Sequence, residues 1–209
     1  MRILIIANGD DPPKSLLHTL RSRCDRFFAA DGGGNIANRL GFPPDIVIGD
    51  MDSFRPPTGF RGEILQIDDQ ETNDLEKSLN LARTENAERV DVIGATGKRL
   101  DHTLKNLSVM QQFHASFDLL SFYDGRLCTR ILPAEYTISL PPKHPVSLFP
   151  LSGIVEGITT DGLKYPLRNE SLENGRRDGS SNETIGGPIR ITHRSGTLLF
   201  MTLLTDNLL

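Results

Sequence analysis

The chain is poor in cysteine, in charge of one sign and in long apolar runs, and each shortage removes a class of protein. Its two cysteines, Cys24 and Cys128, show neither C-x-x-C spacing nor neighbouring histidines. A disulfide framework or a zinc site is therefore not expected, and reduced thiols in the cytoplasm are. Lys and Arg total 23 against 27 Asp and Glu, a formal charge of −4. That surplus is too small to mark nucleic acid or an anionic membrane as a partner. No apolar run nears the roughly 20 residues of a membrane-crossing helix. The opening Met1-Arg2-Ile3-Leu4-Ile5-Ile6-Ala7 is too short for a secretory signal and reads as a first buried strand.

What remains is a globular composition, 37% hydrophobic and 24% charged over 209 residues, enough for one large or two small domains. The first part alternates strand-like and helix-like segments. Strands are expected at Arg2–Ala7, Phe27–Ala30, Asp45–Gly49, Glu63–Ile67, Val90–Ala95 and Leu119–Phe122. Helices are expected between Pro12 and Cys24, through Ile36, Ala37 and Leu40 to a cap at Gly41, and after Thr72-Asn73-Asp74. A further helix carries Leu100, Leu104, Leu107 and Met110 as its apolar face. This alternation predicts an α/β fold, a mostly parallel sheet with flanking helices. From Thr129 the pattern changes to short strands (Thr129–Leu132, Tyr136–Leu140, Pro145–Phe149, Ile154–Thr159, Thr197–Leu203), which predicts a C-terminal antiparallel β-domain. The two domains are set at residues 1–127 and 128–209. The polar stretch from Leu167 to Pro188 reads as a loop.

The chemistry collects where strands end. In an open parallel sheet ligands bind beyond the carboxyl ends of the strands. Asp31-Gly32-Gly33-Gly34, Asp50-Met51-Asp52 and Gly94-Ala95-Thr96-Gly97-Lys98-Arg99 all follow predicted strands, and Asp74 opens a predicted helix. Carboxylates that converge repel one another unless a cation joins them. Mg²⁺ suits such a site, because it takes hard oxygen ligands together with substrate phosphates. Glycines let backbone approach a phosphate closely, and Arg99 offers a planar fork of donors. Singly, each motif is as well explained as a turn or a helix cap. Their conjunction along one sheet edge points to an enzyme acting on a magnesium-bound nucleotide.

In this order the motifs resemble the thiamine pyrophosphokinase family. The residues that carry the resemblance are Ala30-Asp31-Gly32-Gly33, Pro44-Asp45-x-x-x-Gly49-Asp50-x-Asp52-Ser53, Gln70-x-Thr72-x-Asp74-x-x-Lys77 and Gly94-x-x-Gly97-x-Arg99-x-Asp101-His102-x-x-x-Asn106. Later come Thr160-x-Gly162-Leu163-Lys164-Tyr165-x-Leu167 and Ser181-Asn182-Glu183, so the likeness covers nearly the whole chain. The resemblance implies transfer of diphosphate from ATP to the hydroxyl of thiamine, with Mg²⁺, by a homodimer that binds thiamine between subunits. It implies Asp50, Asp52 and Asp74 as metal ligands and, with Arg99, as the catalytic group. It places Asn8, Asp31, Gly32, Thr96, Gly97, Arg99 and Asp101 around ATP, and Gln70, Asp74, Ser181 and Asn182 around thiamine. Two positions depart from the family. Asn73 stands where Thr is frequent, and Ile185 stands where some members have an aromatic, in a chain without tryptophan. Two other readings are a phosphohydrolase with an aspartate nucleophile, suggested by Ile46-Val47-Ile48-Gly49-Asp50-Met51-Asp52, and a non-catalytic thiamine or nucleotide sensor.

Overall fold

A computed structural model describes residues 1–209. The chain divides into two units, Met1–Gly125 and Arg126–Leu209.

The first unit is built on six strands: β1 (Arg2–Ile6), β2 (Arg26–Ala30), β3 (Ile46–Gly49), β4 (Glu63–Gln66), β5 (Arg89–Ile93) and β6 (Leu119–Asp124). They run in the order β4-β3-β2-β1-β5-β6, and every neighbouring pair is parallel. Ile3, Leu4, Ile5 and Ile6 of β1 are all fully buried, as a central strand covered on both faces requires. Four helices complete the unit: α1 (Lys14–Arg21), α2 (Gly33–Leu40), α3 (Asp74–Thr84) and α4 (Leu100–Phe113). Gly41 ends α2 at φ 87°, the left-handed cap its position predicts. Strand order reverses between β1 and β5, so their carboxyl ends open the crevice in which such sheets bind ligands.

Helix α4 corrects the expected apolar face. Leu100 and Leu104 are 72% and 56% exposed, while Asn106, Val109, Met110 and Phe113 are buried. The helix is turned so that the Asn106 amide reaches the Ala95 carbonyl. A buried polar contact that periodicity treats as a surface position has set its rotation.

The second unit is antiparallel. Strands β7 (Leu127–Ile131), β8 (Glu135–Leu140), β9 (Pro145–Asp161), β10 (Arg168–Glu173), β11 (Gly179–Glu183), β12 (Gly187–Thr192) and β13 (Ser195–Leu203) are arranged as β7-β13-β9-β12-β8, with β10 and β11 also paired to β9. Two expectations are overturned here. Pro145–Phe149 and Ile154–Thr159 are one 17-residue strand, bent where Gly153 and Gly157 adopt φ 64° and 68°. These glycines sit among the register shifts against β13 and β10, where bulges let one strand serve several partners. The stretch read as a loop holds β10 and β11. Its turn signal is Asn174-Gly175, with Gly175 at φ 81°, and Leu172 buried beside it marks the strand.

Candidate active site

The site is shaped first by glycines. A Cβ on Gly33 would overlap the Ile6 carbonyl, and one on Gly9 would overlap the carbonyls of Gly94 and Thr96. Gly9 and Asp10 donate to those two carbonyls at 2.7 and 2.9 Å, which ties the turn after β1 to the turn after β5. A Cβ on Gly49 would lie 2.7 Å from the Asp31 Cβ and 2.9 Å from Asp74 Oδ1. Only glycine at the end of β3 lets these two acids approach each other.

The result is a cavity of about 410 Å³ at the carboxyl ends of the strands. Asn8, Gly9, Asp31, Gly32, Asp52 and Ser53 form part of its wall. Asn73, Asp74, Gly97, Lys98, Arg99, His102 and Asn106 supply the rest of its polar lining. All belong to the first unit. Of the expected site residues of this unit, Asp50, Gln70, Thr96 and Asp101 do not line it. Gln70 is exposed and donates a long 3.4 Å bond to Asp50 Oδ2.

Three carboxylates converge. Oxygens of Asp31, Asp50 and Asp74 lie within 4.8 Å of one another. They are three of the four acids whose convergence the sequence predicts, and the fourth, Asp52, shares a hydrogen bond with Asp31. Met51, at φ 66°, turns the chain between the two neighbours, and Asp50 Oδ1 accepts the Asp52 N–H at 3.1 Å. Asp52 is exposed yet still lines the cavity, and it accepts from the Ser53 hydroxyl at 2.6 Å.

The environments of these acids differ. Asp31 is 3% exposed and accepts the N–H groups of Ser53 and Phe54, each at 3.0 Å. Burial pushes its carboxyl above the ordinary value, more than those bonds lower it, and a hydrogen bond shared with Asp52 adds to the rise. Asp52 moves the opposite way, held down by the Ser53 hydroxyl and then by Asp31. A proton shared by this pair therefore belongs on the buried member. Asp74 is also raised, by burial and by the charges of Asp31 and Asp50, against the opposing bond and charge of Lys77. The buried Lys77 ammonium stands 3.2 Å from Asp74 Oδ1. Hard carboxylate oxygens this close fit a divalent cation such as Mg²⁺.

Basic groups line the same cavity. Lys98 holds its Nζ 3.1 Å from the Asn8 carbonyl, with backbone at φ 50°. Arg99 grips Asp101 through two nitrogens, and this partner lowers the Asp101 carboxyl to about 2. The sequence gives Lys98, Ser53, His102 and Asn106 no place in the site, and Asn73 only a part in starting a helix. Most stand inside its motifs, but motif membership alone does not say which side chain faces the cavity.

In the second unit Ser181 is exposed with φ 60°. Asn182 is buried and bonded to its own chain. It accepts from the Tyr165 N–H at 3.1 Å and donates to the Tyr165 carbonyl at 2.7 Å. Tyr165 and Ile185 are 60% and 66% exposed.

Comparison with known proteins gives a consistent answer. The family model described as thiamin pyrophosphokinase, catalytic domain, matches residues 17–119. The model described as its vitamin B1 binding domain matches residues 135–198. The thiamine pyrophosphokinase of Bacillus subtilis (strain 168) is 28% identical over 210 aligned positions, covering 95% of this chain and 93% of its own. Thiamin pyrophosphokinase 1 of Caenorhabditis elegans is 26% identical over 186, covering 82% and 76%. The crystal structure of thiamin pyrophosphokinase from Geobacillus thermodenitrificans superposes with a TM-score of 0.81 at 25% identity, across the whole of both chains. That from Candida albicans gives 0.86 at 19% identity, covering 97% and 89%, which is agreement of fold.

Proposed function

The chain belongs to the thiamin pyrophosphokinase family, and from that premise we propose that it transfers diphosphate from ATP to the hydroxyl of thiamine, releasing AMP. The observation that carries the reading is the meeting of Asp31, Asp50 and Asp74 beside a glycine-shaped cavity walled by Lys98 and Arg99. In the reaction the thiamine hydroxyl oxygen bonds to the β-phosphorus and the bond from that phosphorus to the α-phosphate oxygen breaks. AMP leaves with the electron pair, and the hydroxyl proton passes to a carboxylate of the site. Such a transfer needs alignment and neutralised charge more than covalent help from the protein.

Mg²⁺ bound by Asp50 and Asp74, with Asp31 or Asp52, would supply Lewis-acid stabilisation of the transferred group. Asn8, Gly32 and Gly97 offer close backbone to the nucleotide, and Thr96 stands in the same turn. Arg99 turns from Asp101 toward phosphate oxygens when ATP enters, since a guanidinium binds such oxygens in pairs. Gln70 and Asp74 face thiamine from the first unit. In the second unit Ser181 offers a hydroxyl, and Asn182 acts by holding the exposed Tyr165 in place. The working protein is a homodimer, supported by the exposure of Tyr165 and Ile185 beside those residues. We place its work in the cytoplasm, on the strength of two cysteines that form no disulfide.

Family membership displaces the two rival readings, and one assay separates all three. Incubation with ATP, Mg²⁺ and thiamine is expected to yield thiamine diphosphate and AMP in equal amounts. Inorganic phosphate as the product would mark a hydrolase, and ligand binding without turnover a sensor.

A further inference from the structure

One buried polar side chain in the cavity wall has no part in the proposed reaction. Asn106, 8% exposed, lies on α4. Its Nδ2 donates to the Ala95 carbonyl at 2.7 Å, and its Oδ1 accepts from Asn73 Nδ2 at 2.9 Å. Asn73 is the N-cap of α3, with extended backbone, and its Oδ1 accepts the Glu76 N–H at 2.9 Å. The chain of bonds begins at a backbone donor and ends at a backbone acceptor. Each amide therefore has one orientation that satisfies both neighbours, and reversing either leaves two like groups facing. Asp74 is the residue immediately after the cap.

We propose that Asn106 is a positioning residue which, through Asn73, fixes Asp74 within the acid cluster and ties it to the Gly94–Arg99 turn. The proposal rests on reading that cluster as the metal site. Asn73 also explains why this chain can make the link. A Thr at the position caps a helix through its one hydroxyl, whereas Asn keeps a second polar atom for Asn106. The two helices do not depend on this pair to stay together. Lys105 and Gln112 of α4 hold the buried Glu76 of α3 at 3.0 and 2.8 Å. Loss of the asparagine link should therefore loosen the start of α3 rather than separate the helices.

The test uses the full-length protein and three variants: Asn73→Ser, which keeps a capping oxygen but cannot reach Asn106, Asn106→Ala, and the two combined. Mg²⁺ affinity is measured by calorimetric titration without nucleotide, with kcat and KM for thiamine measured alongside. Partners of metal ligands typically alter metal affinity about 10- to 100-fold. Each single change is expected to weaken Mg²⁺ about tenfold and to lower kcat while KM for thiamine holds. The double variant should be no worse than Asn106→Ala, because both changes cut one link. Unchanged Mg²⁺ affinity in folded Asn73→Ser, or effects that add in the double variant, would overturn the proposal. Should Asn106→Ala not fold, Asn73→Ser alone decides it. Wild-type protein that makes no AMP would sink the functional reading and leave the link standing.

Discussion

Asp31 shows how a single residue can serve both structure and charge. Its two oxygens accept the N–H groups of Ser53 and Phe54, so it closes the turn that also carries Asp50. Its own backbone pays with φ 38°, a conformation Asp tolerates better than most residues. Asp50 has no such structural duty beyond the turn to Asp52, which makes it the cleanest probe of the cluster. We expect Asp50→Asn to lower kcat roughly hundredfold, the scale of losing one preorganised charge-stabilising group. Its thermal midpoint in EDTA should be unchanged or higher, because one repelling carboxylate has gone. Near-normal turnover in the folded variant would remove Asp50 from the site. The acids themselves were legible, since each stands at a strand end or helix start where the pattern of the chain changes. Their convergence was legible too, and the backbone path between two of them was not. A left-handed Met51 joins Asp50 to Asp52, and the Asp50 side chain accepts the Asp52 N–H. Backbone handedness at a non-glycine residue leaves no mark in composition or spacing.

Among the elements, the turns after β1 and β5 depend most on what their residues lack. Gly9 donates to the Gly94 carbonyl, and a methyl group there would overlap both Gly94 and Thr96 backbone oxygens. Neither obstacle is a flexible side chain, so the turns must separate. Gly9→Ala is expected to cost about 1–3 kcal/mol, the range for forced overpacking, and to weaken ATP binding because Lys98 and Asn8 move with the turns. A urea midpoint equal to wild type would show that the turns absorb the methyl. Elements were legible where burial follows period, as in the five-residue β1 and in α2 with its glycine cap. They were misread where a polar contact or a bend decides. The rotation of α4 follows the Asn106 bond to Ala95, and β9 passes through Gly153, a positive-φ glycine that reads as a break. Strands β10 and β11 were hidden by their composition, Arg168–Glu173 and Gly179–Glu183 being almost wholly polar. They are held by pairing to β9 more than by a hydrophobic face of their own.

For the whole molecule, assembly and acid–base behaviour are both open to measurement. A sedimentation run is expected to give a dimer, and a fully active monomer at assay concentration would refute the shared site. The pH response needs its sign worked out group by group. Asp31 and Asp74 have raised proton affinity in the folded chain. Each contributes stability that is present below the unfolded carboxylate value, about 3.9, and is lost as pH climbs through its raised folded value. Asp101, lowered to about 2 by Arg99, works the other way, with stability present above the unfolded value and lost as pH falls toward 2. It is fully exposed, so solvent screens that contribution. Because the two kinds oppose, the pH curve of the metal-free protein does not isolate the cluster. The difference between Mg²⁺ and EDTA does, since Mg²⁺ competes with protons only where the acids meet. As pH falls toward 4 the raised sites take up protons and the two thermal midpoints should converge. As pH rises to 8 the carboxylates ionise, their mutual repulsion destabilises the metal-free form, and Mg²⁺ relieves it. At a Mg²⁺ concentration of about 100 times Kd the gap should reach about 2.7 kcal/mol. Asp50→Asn should close most of it at every pH. A gap that is constant from pH 4 to 8, or one that Asp50→Asn leaves intact, would place Mg²⁺ away from Asp31, Asp50 and Asp74.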